Sequence, residues 1–238
     1  MSGTDEAGAA ARVQAALLRA GETEPFAADC ARHFALLLKW NRTHNLTRIT
    51  DPEEAASRHY LDCARGVDAA LSVASAPEAL VDVGSGAGFP GVIAALRLRL
   101  RGRAPALTLV EPARKRVSFL QVVCRELGLA VRVVPPSQTP TAPEGTGPWW
   151  VTCRATFSAG ERVALRPYRG EGLRPGGILC AWTTPHELAT WQAELATWGF
   201  GATTAPRYSL HVAGGPPHGS DDAAGAAELE RVVLVCQG

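Results

Sequence analysis

The chain has 238 residues, 46% of them apolar, with a formal net charge of +1. That length holds one α/β domain with an added N-terminal element, and the apolar share supports a sizeable core. The near-zero charge excludes a global basic field directed at nucleic acid, so any such contact must come from a local patch; no apolar stretch approaches the ~20 residues of a membrane span.

In chain order, the first twenty residues are alanine-rich, with Val13, Ala16, Leu17 and Ala20 on one helical face. Thr23-Glu-Pro25 reads as a helix cap, and Phe26, Cys30, Phe34, Leu37 and Leu38 mark a second amphipathic helix ending near Asn41. Asp51-Pro-Glu-Glu starts a third helix, which carries Arg58, His59, Tyr60, Leu61 and Asp62. Strands follow at about 80–84, 106–111, 131–134, 149–153, 177–182, 200–212 and 229–236, with helices between most of them. This alternation predicts an α/β fold, a doubly wound, mostly parallel seven-stranded sheet of Rossmann-like type with an N-terminal helical extension. The last two strands flank a Gly/Pro/Asp-rich loop, 213–226, and are placed to pair as an antiparallel hairpin; 135–148 is a second proline-rich loop.

The segment with the most chemistry is Val81 to Gly91. An apolar strand carrying Asp82 runs into Gly84, Ser85, Gly86 and Gly88, then Phe89 and a new apolar helix. Strand, tight glycine loop and helix form the nucleotide-binding opening of a doubly wound sheet. A dinucleotide fingerprint wants G-x-G-x-x-G; here the spacing is G-x-G-x-G after a strand acid. That resembles the S-adenosylmethionine loop of class I methyltransferases. Roughly two dozen residues on, Leu107-Thr-Leu-Val-Glu111 ends a second strand in an acid, where a carboxylate reaches ribose hydroxyls in this topology.

Five motifs then occur in order: Trp40-Asn-Arg-Thr-His-Asn-Leu-Thr47, Arg58-His-Tyr-Leu-Asp62, Asp82 to Gly91, Lys115-Arg-Val-Ser-Phe-Leu120 and Cys153-Arg-Ala155. Together they resemble the bacterial 16S ribosomal RNA guanine-N7 methyltransferases, also called the glucose-inhibited division protein B family. The resemblance implies a methyl-donor-binding domain over 76–238 behind the helical extension of 1–75, with S-adenosylmethionine as cofactor. It implies cofactor contacts from Asp82, Gly84, Ser85, Gly86, Gly88, Phe89, Glu111, Ser137, Gln138 and Arg154. It places Asn45, His59, Asp62 and Arg154 as catalytic residues, and Arg58, Lys115 and Arg116 as substrate-binding ones. The implied partner is 16S ribosomal RNA or the 30S particle, met by a cytoplasmic monomer that does not engage membranes.

Two departures stand out. Pro135-Pro-Ser-Gln-Thr replaces an Arg-x-Glu-like run, where the Gln138 amide oxygen can take the place of the carboxylate. Trp182-Thr-Thr184 stands where many members carry a lysine. These two differences motivate an alternative: a repurposed relative that N-methylates a small nucleobase-like heteroaromatic. A non-catalytic cofactor- or RNA-binding module is a third reading, opposed by the intact glycine loop and Glu111.

Methyl transfer to guanine N7 asks little of acid–base groups. N7 is an unprotonated lone-pair acceptor on the major-groove edge, and the sulfur leaves neutral, so approach and alignment dominate. Asp62 is placed by its motif to stabilise positive charge left on the base. His59 can orient the base or pack its helix onto the sheet; Asn45 can bind substrate or cap the turn before Leu46. Arg154 can contact a carboxylate or RNA, or tie a strand end to a helix. Lys115 and Arg116 point to RNA or to the cofactor cleft, whereas Arg97 to Arg103 read as a solvated basic face. Trp149, Trp150, Trp182, Trp191 and Trp198 read as core. The six cysteines contain no C-x-x-C and read as reduced, buried thiols. No histidine or cysteine spacing suits a metal.

Overall fold

The computed structural model describes residues 3–140, 147–154, 165, 167–168, 173, 177–200, 203–212 and 227–237. Loop residues 141–146 and 213–226, and Ala155 of the Cys153-Arg-Ala motif, lie outside the described residues.

Two helices open the chain, α1 (Gly3–Arg19) and α2 (Glu24–His44). Helix α2 starts at an extended Thr23 with Pro25 in its first turn, and Asn45 ends it in the left-handed conformation, its N–H bonded to the Asn41 carbonyl. Helix α3 (Pro52–Ala55) is capped by Asp51, whose carboxylate accepts the Glu54 N–H at 2.9 Å, a cap of about 1 kcal/mol. The single third helix expected from sequence is instead interrupted. After α3 the backbone widens into a π-helical stretch, Ala56–Leu61, and re-tightens into α4 (Asp62–Leu71). Such widenings add a residue to a turn and re-aim the side chains they carry; this one carries Arg58 and His59.

The sheet domain then runs β1 (Ala79–Val83), α5 (Gly91–Arg99), β2 (Ala106–Val110), α6 (Arg114–Glu126), β3 (Val131–Val134), β4 (Trp149–Arg154), β5 (Gly177–Thr183), α7 (Pro185–Thr197), β6 (Thr203–Thr204), β7 (Arg207–Val212) and β8 (Ala227–Gln237). The order across the sheet is β3-β2-β1-β4-β5-β8-β6, with β7 also on β8. Strands β1 to β5 are parallel, and β8 is antiparallel to β5 and β7. The expected hairpin of the last strands is therefore present. The expected strand 200–212 appears as two segments along the same edge of β8, parted at Ala205 and Pro206. Proline has no N–H for the ladder, but its carbonyl still accepts the Val233 N–H at 3.2 Å. The sheet thus has eight strand segments in seven positions.

Strand side chains alternate between the faces. Leu80, Leu107, Leu109, Trp150, Cys180, Trp182 and Val233 join the core shared with α1, α2, α4, α5 and α6. Val81, Val83, Trp149, Val151, Cys153, Leu179 and Ala181 join a second core with Trp191 and Leu195 of α7. All five tryptophans expected in the core are buried, and all six cysteines are buried and unbridged. No helix among the described residues is long and apolar enough to cross a membrane.

Of the basic face read from sequence, Arg99, Arg101 and Arg103 are exposed as expected and Arg97 is half-buried, but Arg97, Arg99 and Arg101 are paired with carboxylates. Arg97 reaches Glu22 at 2.5 Å and Asp68 at 3.0 Å, with its guanidinium over the Phe26 ring. Arg99 binds Asp29 and the Leu127 carbonyl, and Arg101 binds Asp68 at 2.7 Å. Helix α5 is buried almost all round, so its cations lie along seams where carboxylates of α2, α4 and the α1–α2 turn already face inward.

Close approach sets two glycines. A Cβ on Gly66 would lie 2.0 Å from Trp182 Nε1, and one on Gly91 would lie 2.5 Å from Asp82 Cβ. Gly91→Ala is expected to destabilise the fold by at least the ~1–3 kcal/mol typical of overpacking. The thermal midpoint should drop by roughly 2–4 °C per kcal/mol; a wild-type melting curve would show that α5 can shift off β1 freely.

Candidate functional site

The site lies at the carboxyl end of β1, where the chain turns through Gly84 to Phe89 into α5. The Gly84 and Ser85 amides both donate to the Val110 carbonyl on β2, at 3.0 and 3.2 Å, and the Gly88 amide closes the turn on the Ser85 carbonyl at 2.7 Å. Gly84, Gly86 and Gly88 have φ of 74°, 55° and 94°, a region that penalises a Cβ. Their surroundings differ. A Cβ on Gly88 would press to 2.8 Å of Val92 Cγ2, whereas one on Gly86 meets nothing nearer than the Gly84 carbonyl at 3.8 Å. Gly88 is thus a packing glycine, and Gly86 keeps space open above the loop.

Three buried groups hold this loop from behind. Asp82 accepts the Thr152 hydroxyl of β4 at 2.8 Å through Oδ1, while its Oδ2 has no hydrogen-bond partner. Burial pushes the Asp82 carboxyl up to about 6, against the pull of Thr152, Ser85 and the nearby Gly91 amide. Glu111, 1% exposed, accepts the Gly86 N–H at 2.8 Å and the Ala113 N–H at 2.9 Å, with Arg116 3.7 Å away. His33 of α2 bridges the Ala87 carbonyl and the Tyr60 hydroxyl, each at 2.9 Å. Burial lowers the His33 pKa to about 4, so the ring is neutral and its one N–H donates to the carbonyl while the other nitrogen accepts from Tyr60.

The facing wall comes from the π-helical stretch and β4. The His59 ring stacks on Phe89, centroids 4.3 Å apart and 20° from parallel. The Arg154 guanidinium also lies over the Phe89 ring, 5.7 Å from its centroid. Its Nη2 is 3.2 Å from His59 Nδ1, and its Nη1 donates to the Arg58 carbonyl at 3.2 Å. Burial first, and then the Arg154 charge, hold the His59 pKa well below its ordinary range, with the Arg58 carbonyl pulling weakly the other way. His59 Nε2 meets Thr47 Oγ1 at 3.2 Å. Behind this wall Asp62, 3% exposed, accepts from the Tyr208 hydroxyl at 2.8 Å and from Arg231 Nε at 3.1 Å, and sits 3.8 Å from Arg154.

The cleft between loop and wall is about 210 Å³ and is lined by Leu46, Thr47, His59, Gly84, Ser85, Gly86, Ala87, Phe89, Arg116 and Arg154. Of the residues expected from sequence, the fold brings Gly84, Ser85, Gly86, Phe89, His59, Arg154 and Arg116 to it. Asp82, Gly88, Glu111 and Asp62 stand behind the lining. Asn45 is exposed in its capping role. Arg58 turns to Glu54 at 3.4 Å. Lys115 is exposed on α6, and Ser137 and Gln138 are exposed in a short 3-10 turn after β3. Thr184, where a lysine is expected, instead caps α7 by accepting the Glu187 N–H at 3.3 Å. Leu46 and Thr47, which close the Trp40–Thr47 motif, line the cleft in addition to the expected residues. His33, Tyr208 and Arg231 join the site across long stretches of chain, and no local pattern in the sequence marks them.

Asp82 and His33 give the site opposite pH responses. A carboxyl raised from 3.8 to about 6 binds its proton more readily folded than unfolded. Its contribution is therefore full below about pH 4 and is lost as pH rises through 6. The lowered His33 pKa acts in reverse, losing stability as pH falls from about 6.5 toward 4. Asp82→Asn removes only the first response. Relative to wild type it should be near neutral at pH 4 and stabilising by up to about 3 kcal/mol at pH 8, as read by denaturant unfolding; a gap that widens toward acid would contradict the buried-carboxylate account.

The family model described as rRNA small subunit methyltransferase G matches residues 27–184. The Ribosomal RNA small subunit methyltransferase G of Xanthomonas axonopodis pv. citri (strain 306) is 34% identical over 217 residues, covering 88% of this chain and 93% of its own length. That of Stenotrophomonas maltophilia (strain K279a) is 35% identical over 200 residues, covering 80% and 88%. Among solved structures, the methyltransferase domain of METTL16 superposes with a TM-score of 0.52 at 15% identity, over 89% of this chain and 80% of that one; this likeness speaks to the fold alone. With the family model matching residues 27–184 and relatives above 30% identity over 80–88% of the chain, the chain belongs to the rRNA small subunit methyltransferase G family.

Proposed function

We propose that this chain transfers a methyl group from S-adenosylmethionine to N7 of a guanine in 16S ribosomal RNA, working in the cytoplasm as a monomer on that RNA or on the 30S particle. Residues 1–75 supply most of the wall that faces the substrate, and 76–238 the part that holds the methyl donor. The observation that carries this reading is the open space above Gly86, in a loop backed by the buried Glu111 carboxylate and faced by Phe89, His59 and Arg154.

The cradle suits an adenosyl sulfonium. Its backbone can approach closely at Gly84 and Gly86, and Glu111 is a buried acceptor at the end of β2, where a sugar hydroxyl is met in this topology. When bound, S-adenosylmethionine supplies an electrophilic methyl on a positively charged sulfur. The residues themselves align, and they do little proton chemistry. His59 is a poor base, because Arg154 occupies Nδ1 and burial holds the ring neutral. That is acceptable for an acceptor such as N7, which carries no proton to remove. Asp62, with its carboxylate on Arg231 and Tyr208, serves by holding Arg154 in place. Arg116 and Lys115 on α6 offer cations for phosphates at the rim.

Labelled S-adenosylmethionine should pass its methyl to 30S particles, or to their RNA, from a strain lacking the mark, and mass spectrometry should place it on N7 of a guanine. No transfer under conditions where a control enzyme works would refute the proposal. Gly86→Val fills the space above the loop and forces a branched side chain to φ near 55°. It is expected to abolish donor binding in calorimetry while α-helical circular dichroism persists; unchanged affinity would move the donor elsewhere.

A further inference from the structure

The hydrogen bonds around His59 determine where the Thr47 hydroxyl proton must go. Arg154 Nη2 lies 3.2 Å from His59 Nδ1, and a guanidinium only donates, so Nδ1 accepts and bears no proton. The Arg58 carbonyl accepts Arg154 Nη1 at 3.2 Å, which anchors the guanidinium on the Nδ1 side of the ring. A neutral ring with a bare Nδ1 carries its single proton on Nε2, and Nε2 faces Thr47 Oγ1 at 3.2 Å. The Ile49 N–H donates to the same oxygen at 3.1 Å. A hydroxyl oxygen accepts two bonds and donates one. Both acceptor positions of Thr47 are thus filled from within the protein, and among the described residues no acceptor is bonded to its hydroxyl proton. Thr47 lines the cleft beside His59, Ala87 and Phe89.

We infer that Thr47 is a specificity-determining hydrogen-bond donor of the cleft, giving its hydroxyl proton to an acceptor oxygen of the molecule bound there, with His59 and Arg154 as positioning residues that lock it in the donor role. The inference rests on the proposed methyl transfer for the identity of that oxygen. Two sources share the required chemistry: the carboxylate of S-adenosylmethionine, and the O6 carbonyl beside N7 on guanine. In either case an amino group at that point meets a donor it cannot bond. On the base this disfavours adenine, which shows N6–H₂ where guanine shows O6.

The test compares wild type with Thr47→Val and Thr47→Ser. Donor affinity is measured by calorimetry, and kcat/KM on 30S particles at saturating donor. Thr47→Val should lose roughly tenfold in one of the two, the size of a hydrogen bond to a strong acceptor, and Thr47→Ser should recover most of it. A loss in donor affinity assigns the acceptor to the carboxylate; a loss in kcat/KM with affinity kept assigns it to the base. A folded Thr47→Val unchanged in both overturns the inference. Nitrogen-15 spectra of histidine-labelled protein give a readout independent of any variant or ligand. His59 should show a protonated Nε2 and a bare Nδ1; a proton on Nδ1 overturns the inference even if methyl transfer is confirmed. Wild type that neither binds donor nor transfers methyl, yet shows the Nε2–H form, sinks the proposed function while the donor geometry of Thr47 stands.

Discussion

The packing of α5 on β1 at glycine distance is the constraint from which the rest of the site follows. With Gly91 against the Asp82 side chain, the helix begins almost on top of the strand, and the chain between them has only the Gly84–Phe89 turn in which to reverse. That geometry buries Asp82 outright. A carboxylate in such a place loses its hydration and recovers only part of it from Thr152, so its affinity for protons rises. The protein tolerates this local penalty because the surrounding core is large. The loop is nonetheless backed by Asp82, by Glu111 on the Gly86 amide and by His33 on the Ala87 carbonyl, and it leaves Gly86 facing open space.

The wall opposite the loop raises an electrostatic question that the overall composition hides. The chain has a formal net charge of only +1, yet Arg154 stands over an aromatic pair at the cleft. Asp62 offsets Arg154, but Asp62 is itself held by Arg231, so the three groups together keep one surplus positive charge. Arg116 approaches the cleft from the other side, beside Glu111. One surplus positive charge thus sits at the cleft, while Glu22, Asp29 and Asp68 on the α5 seam pair with Arg97, Arg99 and Arg101. Local placement of charge, rather than its total, is what suits a near-neutral chain to a phosphate-rich partner.

The elements most legible in the sequence are those governed by neighbours in the chain. Alternating apolar runs mark β1 to β5, the Gly84–Gly88 spacing marks the loop, and Asp51 with Pro52 marks a helix start. Features decided by distant partners were not legible. The π-helical stretch at Ala56–Leu61 has no signal of its own. The pairing of Arg97 and Arg99 in α5 is not legible because their carboxylates come from three other segments. Glu111 was found from its strand-end position, but its bond to the Gly86 amide depends on how the loop folds back. Asp62 was singled out by its motif, whereas its partner Arg231 lies 169 residues away, and pairing at such separation is a property of topology. Pro206 was visible as a residue, but only the antiparallel ladder shows that it splits an edge strand without ending it.

The place of β8 bears on how the protein matures. It is the last described strand in chain order, yet it lies inside the sheet, between β5 on one side and β6 and β7 on the other. A growing polypeptide emerging from the ribosome can therefore assemble the glycine turn, Arg154 and Asp62 well before β8 arrives with Arg231. Until then one long edge of β5 is unpaired, and Asp62 lacks its strongest counter-ion. Synthesis places the apolar segment Val232–Cys236 and the final charge of the wall in the same event, so the nascent chain is at its most aggregation-prone just before its cleft becomes electrostatically complete.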